Sequence, residues 1–205
     1  MSENVKSGTK RAFDFLIAVA ALLFLFPVLL LIVLLTLLTA GAPVLFRQER
    51  IGRFGRPFTL AKIRTMREAF DAEGRPLPDD ARVTRLGRLI RRFRLDELPG
   101  FLAVVTGRMA IVGPRPLPTY VLDTIAGSAE RSQMRPGFTG LAQVSGNTLL
   151  TNSEKIALDI HYVRHWTLAW DLAILLRTVA TIASGEKRDE PLIELVLRAA
   201  KGDRA

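Results

Sequence analysis

The sequence contains no cysteine, which excludes disulfides and thiolate metal sites and fits a reducing compartment. Histidine is scarce as well. His161 and His165 stand i, i+4 on an expected helix with no acidic third ligand in view, and are read as structural. Neither a Walker A loop nor a Gly-x-Gly-x-x-Gly run occurs, so both common nucleotide signatures are missing. Acidic residues are the minority: 20 Asp and Glu against 29 Lys and Arg give a net charge of +9. That imbalance suits an anionic partner, whether nucleic acid, lipid headgroup or phosphorylated substrate, without choosing among them.

Charge of either sign is absent from Phe15 to Phe46, and Leu16–Leu38 is almost wholly apolar. A helix apolar on every face requires lipid or a very large core, and a chain of 205 residues has no such core. The run is about twice as long as the apolar region of a cleaved signal peptide. Residues 15–40 as one helix measure roughly 39 Å, enough to span a bilayer. Pro27 near the middle removes a helix hydrogen bond and favours a kink. Lys6, Lys10 and Arg11 precede the segment; Arg47, Arg50, Arg53 and Arg56 follow it. The positive-inside tendency would keep both flanks in the cytoplasm, which a single crossing cannot do, while Pro27 also suits a tolerated kink, so the residues alone leave a re-entrant hairpin and a kinked span equally open.

Beyond the segment, residues 44–67 alternate like strands broken by Gly52, Gly55 and Pro57, and Asp71–Asp80 is a loop. Leu86, Leu89, Ile90 and Phe93 recur at helical spacing among Arg85, Arg88, Arg91 and Arg92, predicting a basic amphipathic helix over 81–94 suited to an anionic bilayer surface. Pro99 opens a short apolar helix over 98–105. A polar helix around 117–133, a helix over 153–164, an amphipathic helix over 166–183 and a last helix over 191–200 complete the expectation. The 166–183 helix carries Trp166 and Trp170 with Leu172, Leu176, Val179 and Ile182.

Chemistry concentrates at Leu95-Asp96-Glu97-Leu98-Pro99. With Pro99 at a helix start, both carboxylates lie at the positive end of the helix dipole and near arginines, which favours their ionised form. An ionised aspartate attacks phosphorus and divides a difficult transfer into two displacements. Phosphoryl transfer also needs cations around the phosphate oxygens, and usually a divalent metal. Arg115, restrained between Pro114 and Pro116, is one candidate, with Lys62, Arg64, Arg91 and Arg135 as others. A membrane-anchored binding module would explain the charge and the anchor but not the carboxylate pair; an aspartyl-phosphate phosphatase would use that pair without a lipid acceptor.

The apolar hairpin is followed in order by Lys62-Ile63-Arg64-Thr65-Met66, Leu95–Pro99, Val112-Gly113-Pro114-Arg115-Pro116 and Arg135-Pro136-Gly137-Phe138-Thr139-Gly140-Leu141-Ala142-Gln143. Over about residues 8–183 this order resembles the monotopic phosphoglycosyl transferases (bacterial sugar transferases, PglC-like). The resemblance implies a mainly α fold with a small β element, a re-entrant membrane helix broken at Pro27, and interfacial amphipathic helices around a compact catalytic domain. The organisation expected is a membrane helix at 1–43, a catalytic domain at 44–183 and a C-terminal tail at 184–205. It further implies a ping-pong reaction at the cytoplasmic face of the bacterial inner membrane. Asp96 attacks the β-phosphorus of a UDP-sugar and releases UMP, and undecaprenyl phosphate then takes up the phosphosugar. Glu97 acts as base or helps place Mg²⁺, which lies close to Asp96. Lys62, Arg64, Arg91, Arg115, Arg135 and Gln143 contact substrate phosphates or orient the carboxylates. Inner-membrane lipid is a partner and nucleic acid is not. The sequence departs from the family pattern at Phe26, Ala103, Arg108 and Asn147.

Overall fold

A computed structural model describes residues 3–121 and 127–202. Helices dominate. The first, α1, runs from Glu3 to Ala40 as one element with Pro27 inside it, so the break expected at that proline is not a break in secondary structure. Lys10, Asp14, Ala18, Ile32 and Thr36 on α1 are buried against the rest of the chain. Most of its other large apolar side chains, among them Leu23, Phe24, Phe26, Leu31 and Leu38, are exposed. Among the described residues, α1 is the helix long and apolar enough to cross a membrane, and the chain is membrane-associated on that ground.

Both ends of α1 are fastened to the same body. Near the start, the Lys10 ammonium lies 2.7 Å from the buried carboxylate of Asp171. Arg11 donates to the carbonyls of Val104 and Val105, each at 2.6 Å, filling acceptors left open where a short helix ends. At the far end, Arg64 donates to the carbonyls of Ala40, Gly41 and Ala42, and so caps the C-terminus of α1.

After α1 comes an antiparallel hairpin, β1 (Leu45–Ile51) and β2 (Pro57–Ile63), in the register Phe46↔Lys62, Gln48↔Leu60 and Arg50↔Phe58. The alternation read from 44–67 is realised there. The helix expected over 81–94 is two pieces, α2 (Asp79–Arg82) and α3 (Arg85–Arg92), because Thr84 caps α3 by accepting from the Gly87 amide at 2.8 Å. Ile90 of α3 is buried, whereas Leu89 and Phe93 stay exposed beside the arginines.

The apolar helix expected from Pro99 begins later. Leu95–Gly100 is a 3₁₀ segment with Pro99 inside it, and α4 follows at Phe101–Val105. Two short strands, β3 (Ala110–Val112) and β4 (Gly137–Thr139), pair in parallel, Ala110 with Gly137 and Val112 with Thr139. Between them lie a 3₁₀ turn at Thr119–Val121 and α5 (Ser128–Arg131); part of the helix expected around 117–133 falls at 122–126, outside the described residues.

The remaining helices are α6 (Leu141–Val144), α7 (Asn152–His165), α8 (Leu168–Ser184) and α9 (Glu190–Gly202). A capping box starts α7, with Thr151 and Glu154 satisfying each other's amides. The core gathers Val104, Ile111, Val112, Leu141, Leu158, Tyr162 and Ile174. Ile193 and Val196 of α9 are buried in it too, so the last helix is packed structure and not a detached tail. Leu172, Leu176, Val179 and Ile182 form an uncovered apolar face on α8.

Candidate active site

Period-two geometry builds the first wall of the site. Lys62 and Leu60 lie on one face of β2, and their cross-strand neighbourhood on β1 places Arg50 on that face as well. All three line a cleft of about 440 Å³, together with Glu97, Gly100, Met109, Arg115, Phe138 and Gln143. Phe101 stacks on Phe138 with ring centroids 4.4 Å apart and closes the cleft's apolar side.

The two later motifs of the sequence form one structural unit. A Cβ on Gly137 or on Gly140 would overlap the backbone of Gly113, and one on Gly113 would stand 2.5 Å from the Arg135 carbonyl. The Gly113 amide donates to Thr139 at 2.9 Å and the Gly137 amide to Pro114 at 2.8 Å. These close approaches require glycine for lack of room, and they carry Arg115 to the cleft beside Phe138 and Gln143. Behind Arg115, its carbonyl accepts from Arg131, which is itself paired with the buried Asp159 of α7 at 2.7 Å. Burial pushes the Asp159 carboxyl up to about 6, an effect that Arg131 and Arg115 only partly offset. A second cleft of about 410 Å³ shares Arg115 and Gln143 with the first and reaches Asn147, Asn152 and Lys155.

The carboxylates occupy the first turn of the 3₁₀ segment, entered from Arg94 in a left-handed conformation at φ 54°. Successive residues of a 3₁₀ turn point about 120° apart. Glu97 accordingly lines the cleft, where Lys62 donates to it at 2.7 Å, while Asp96 lies half-buried outside the lining. Their electrostatics diverge. Burial would raise the Glu97 carboxyl, but Lys62, then Arg115 and Arg94, hold it below the ordinary glutamate range. Burial, followed by the neighbouring negative charge of Glu97, pushes the Asp96 carboxyl up against the opposing pull of Lys62 and Arg91. One carboxylate is neutralised by a partner; the other carries its charge without an ion pair among the described residues.

The other expected residues divide. Arg91 donates to the Thr65 hydroxyl at 2.7 Å and acts on Asp96 through its field. Gln143 donates to the Phe138 carbonyl at 3.1 Å, and its buried Oε1 has no hydrogen-bond partner among the described residues. Arg64 stands apart as the cap of α1, because its guanidinium is engaged by three carbonyls there. Arg135 is also elsewhere: its Nε donates to the Gly107 carbonyl at 2.8 Å, among Arg11 and Arg53. The two histidines have ring centroids 4.3 Å apart on α7, and no group of three metal-ligating side chains forms among the described residues.

Three residues of the site were not singled out from sequence. Arg50 stands in the sequence as a charge flanking the apolar run, and strand alternation with Lys62 is the signal that places it in the cleft. Glu186 falls in the expected C-terminal tail, yet it pairs with Arg94 at 3.3 Å and accepts from Asn147, bracing the entry to the carboxylate turn. Asp159, the anchor behind Arg115, has no local signal.

Comparison with known proteins gives this geometry a family. The bacterial sugar transferase family matches residues 5–185. The chain is 40% identical over 178 residues to the uncharacterized sugar transferase EpsL of Bacillus subtilis, covering 86% of this chain and 88% of that one. It is 38% identical over 192 residues to the exopolysaccharide production protein ExoY of Sinorhizobium fredii, covering 85% of each. It is 44% identical over 185 residues to a UDP-glucose:undecaprenyl-phosphate glucose-1-phosphate transferase of Caulobacter vibrioides, covering 84% of this chain and 69% of that one. With that extent of agreement laid over the anchored helix, the glycine-packed motifs and the carboxylate turn, the chain belongs to the bacterial sugar transferases, a phosphoglycosyl transferase family.

Proposed function

We propose that the chain transfers a sugar-1-phosphate from a UDP-sugar to undecaprenyl phosphate, giving undecaprenyl-diphospho-sugar and UMP as the first membrane step of a glycoconjugate. The observation that carries this reading is the asymmetric carboxylate pair: Glu97 tied to Lys62 inside a cationic cleft, and Asp96 beside it with no cation bonded to it among the described residues. Relatives named for transfer of glucose-1-phosphate to undecaprenyl phosphate support the substrate classes.

The reaction runs in two displacements. An Asp96 carboxylate oxygen forms a bond to the β-phosphorus while the bond from that phosphorus to the bridging oxygen breaks, and UMP leaves with the electron pair. An oxygen of the lipid phosphate then attacks the same phosphorus and Asp96 departs as carboxylate. Arg115 and Arg50 face the phosphate oxygens from the cleft wall. Burial and the Glu97 charge raise the Asp96 carboxyl while Lys62 and Arg91 draw it down, and Glu97 with Lys62 holds or moves a proton at the acceptor phosphate. The unpartnered Gln143 Oε1 accepts from a donor group of the UDP-sugar.

A divalent cation fits this donor set. Mg²⁺ is commonly held by one or two carboxylates together with substrate phosphates, so the absence of a larger acidic cluster among the described residues is no obstacle. The repulsion from Glu97 that raises Asp96 is what a cation there relieves. Asp96 would hold it, and it would neutralise the diphosphate.

The fastening of α1 supports a re-entrant topology. Lys10 and Arg11 at one end and Ala40–Ala42 at the other are bonded to the same globular body, which supports a helix that enters and leaves the bilayer on the cytoplasmic face, bending about Pro27. The uncovered apolar face of α8 and the exposed Leu89 and Phe93 among the arginines of α3 rest in the interface, where a lipid phosphate meets a soluble nucleotide.

The test is product analysis with the purified chain in detergent. A panel of UDP-sugars with Mg²⁺ should release UMP, and adding undecaprenyl phosphate should convert the sugar-phosphate into a lipid product. Release of inorganic phosphate without lipid product would support a phosphatase instead.

A further inference from the structure

A second cationic recess shares no lining residue with the candidate cleft. Met109 lines the candidate cleft, while its neighbour Ala110 lines a crevice beside the first turns of α1, lined also by Lys10, Arg53, Arg135 and Trp166. A shallower recess of about 750 Å³ adjoins it through Arg53 and adds Arg56 and Arg108.

The arginines here are held but not neutralised. Arg53 donates through Nε to the Gln133 carbonyl at 2.9 Å and Arg135 to the Gly107 carbonyl at 2.8 Å. Arg11, within reach of the same glycine, donates to Val104 and Val105. A carbonyl fixes a guanidinium without cancelling its charge, and the rest of each fork stays open for a second acceptor. None of Arg11, Arg53, Arg56, Arg108 and Arg135 forms an ion pair among the described residues. Asp14, the crevice's carboxylate, is already engaged by Lys10 at 3.6 Å and by the Ile111 amide at 3.0 Å. Burial, followed by the positive charges of Arg53 and Arg11, pushes the Arg135 guanidinium below its ordinary value. Like charges gathered and partly desolvated in this way are relieved by an anion.

The surroundings say which anion. The uncharged run of α1 begins at Phe15, immediately beyond Asp14 in the crevice wall. Phe54, at the hairpin tip, is 63% exposed and holds a left-handed conformation, with Arg53 over its ring at 4.5 Å. Trp166 lines the same crevice. Aromatic rings beside arginines at the start of an apolar helix suit the headgroup layer, where a phosphate meets cations while its acyl chains follow apolar surface. We propose that this crevice is a binding site for the headgroup of an anionic membrane phospholipid, with Arg53 and Arg135 as its phosphate donors and Arg56 and Arg108 at its second opening. It lies apart from the cleft that would hold the UDP-sugar, and its occupancy can be read without turnover.

The experiment uses the full chain in a neutral detergent. Trp166 and Trp170 are its two tryptophans, so Trp170→Phe leaves Trp166 as the reporter inside the crevice. Titration with dihexanoyl-phosphatidylglycerol should give a saturable change in Trp166 emission that dihexanoyl-phosphatidylcholine does not produce. Arg53→Gln with Arg135→Gln should raise the apparent Kd at least tenfold. Arg56→Gln with Arg108→Gln, at exposed positions with little packing to lose, should raise it at least threefold. Arg85→Gln with Arg88→Gln on α3 should leave it within twofold. Equal weakening by the α3 pair would reduce the effect to diffuse charge, and no weakening by Arg56→Gln with Arg108→Gln would remove the site. Saturation by inorganic phosphate at the same concentration would assign the recess to a soluble anion. Each of these results overturns the proposal.

Discussion

Lys62 on β2 and Glu97 on the 3₁₀ turn are joined at 2.7 Å across 35 residues of sequence. This ion pair separates two adjacent carboxylates that would otherwise be equivalent. Glu97 carries a compensated charge; Asp96 carries one that the protein destabilises by burial and by Glu97 itself. In the proposed reaction the first is suited to handle a proton and the second to attack phosphorus.

Asp96→Asn should therefore lower UMP release by at least about 10³-fold while nucleotide still binds, because the amide cannot form the covalent bond. Glu97→Gln should cost about 10²–10⁴-fold, the range for loss of a proton-handling group. Steady-state UMP release together with UDP-sugar binding by calorimetry separates the two. Equal, modest losses in both would contradict the division of roles.

Lys62→Met leaves Glu97 half-buried without its partner and should destabilise the chain by about 2 kcal/mol, less than a fully buried pair because solvent screens both groups. The double variant Lys62→Met with Glu97→Gln should recover most of that loss. Thermal unfolding of the four proteins in one detergent completes the cycle, and additive effects would show that the pair is not coupled.

Asp159 supplies a pH signature. Its carboxyl is raised from the ordinary 3.8 to about 6, chiefly by burial, so the folded chain binds this proton more tightly than the unfolded chain does. The stability it contributes is complete below the ordinary value and is lost as pH rises through about 6. The melting temperature of the wild type minus that of Asp159→Asn should fall between pH 4 and about 6 and then level off. A difference independent of pH would contradict the assignment.

Much of this was legible from local pattern. Strand alternation around Lys62, the uncharged run of α1 and the helices α7 and α8 follow from periodicity, and their observed bounds lie close to expectation, although Trp166, expected inside the second of these helices, lies just before α8. What escaped was set by distant partners. Thr84 caps α3 and splits the helix expected over 81–94. Arg64 has the chemistry of a phosphate ligand, but the carbonyls at the end of α1 engage it, and Arg135, fixed by the Gly107 carbonyl, lines a different recess from the candidate cleft. α9 carries an ordinary amphipathic pattern, and only the fold reveals that Ile193 and Val196 complete the core. Glycine in the later motifs reads as turn chemistry in sequence, whereas Gly113, Gly137 and Gly140 are small because their backbones meet.

Topology is directly measurable because the chain has no native cysteine. Gly8→Cys and Leu45→Cys flank the apolar run. In sealed vesicles, an impermeant maleimide should reach both from the cytoplasmic face and neither from the other. Labelling from opposite faces would require α1 to cross the bilayer.

The most direct test of the central claim is to trap the bond at Asp96. The chain is incubated with a UDP-sugar labelled at the β-phosphorus, without lipid acceptor, then quenched and digested. The label should remain on the peptide containing Leu95-Asp96-Glu97, be discharged by undecaprenyl phosphate, and be missing from Asp96→Asn. UMP release with no label on that peptide, or with label on another residue, would contradict the account.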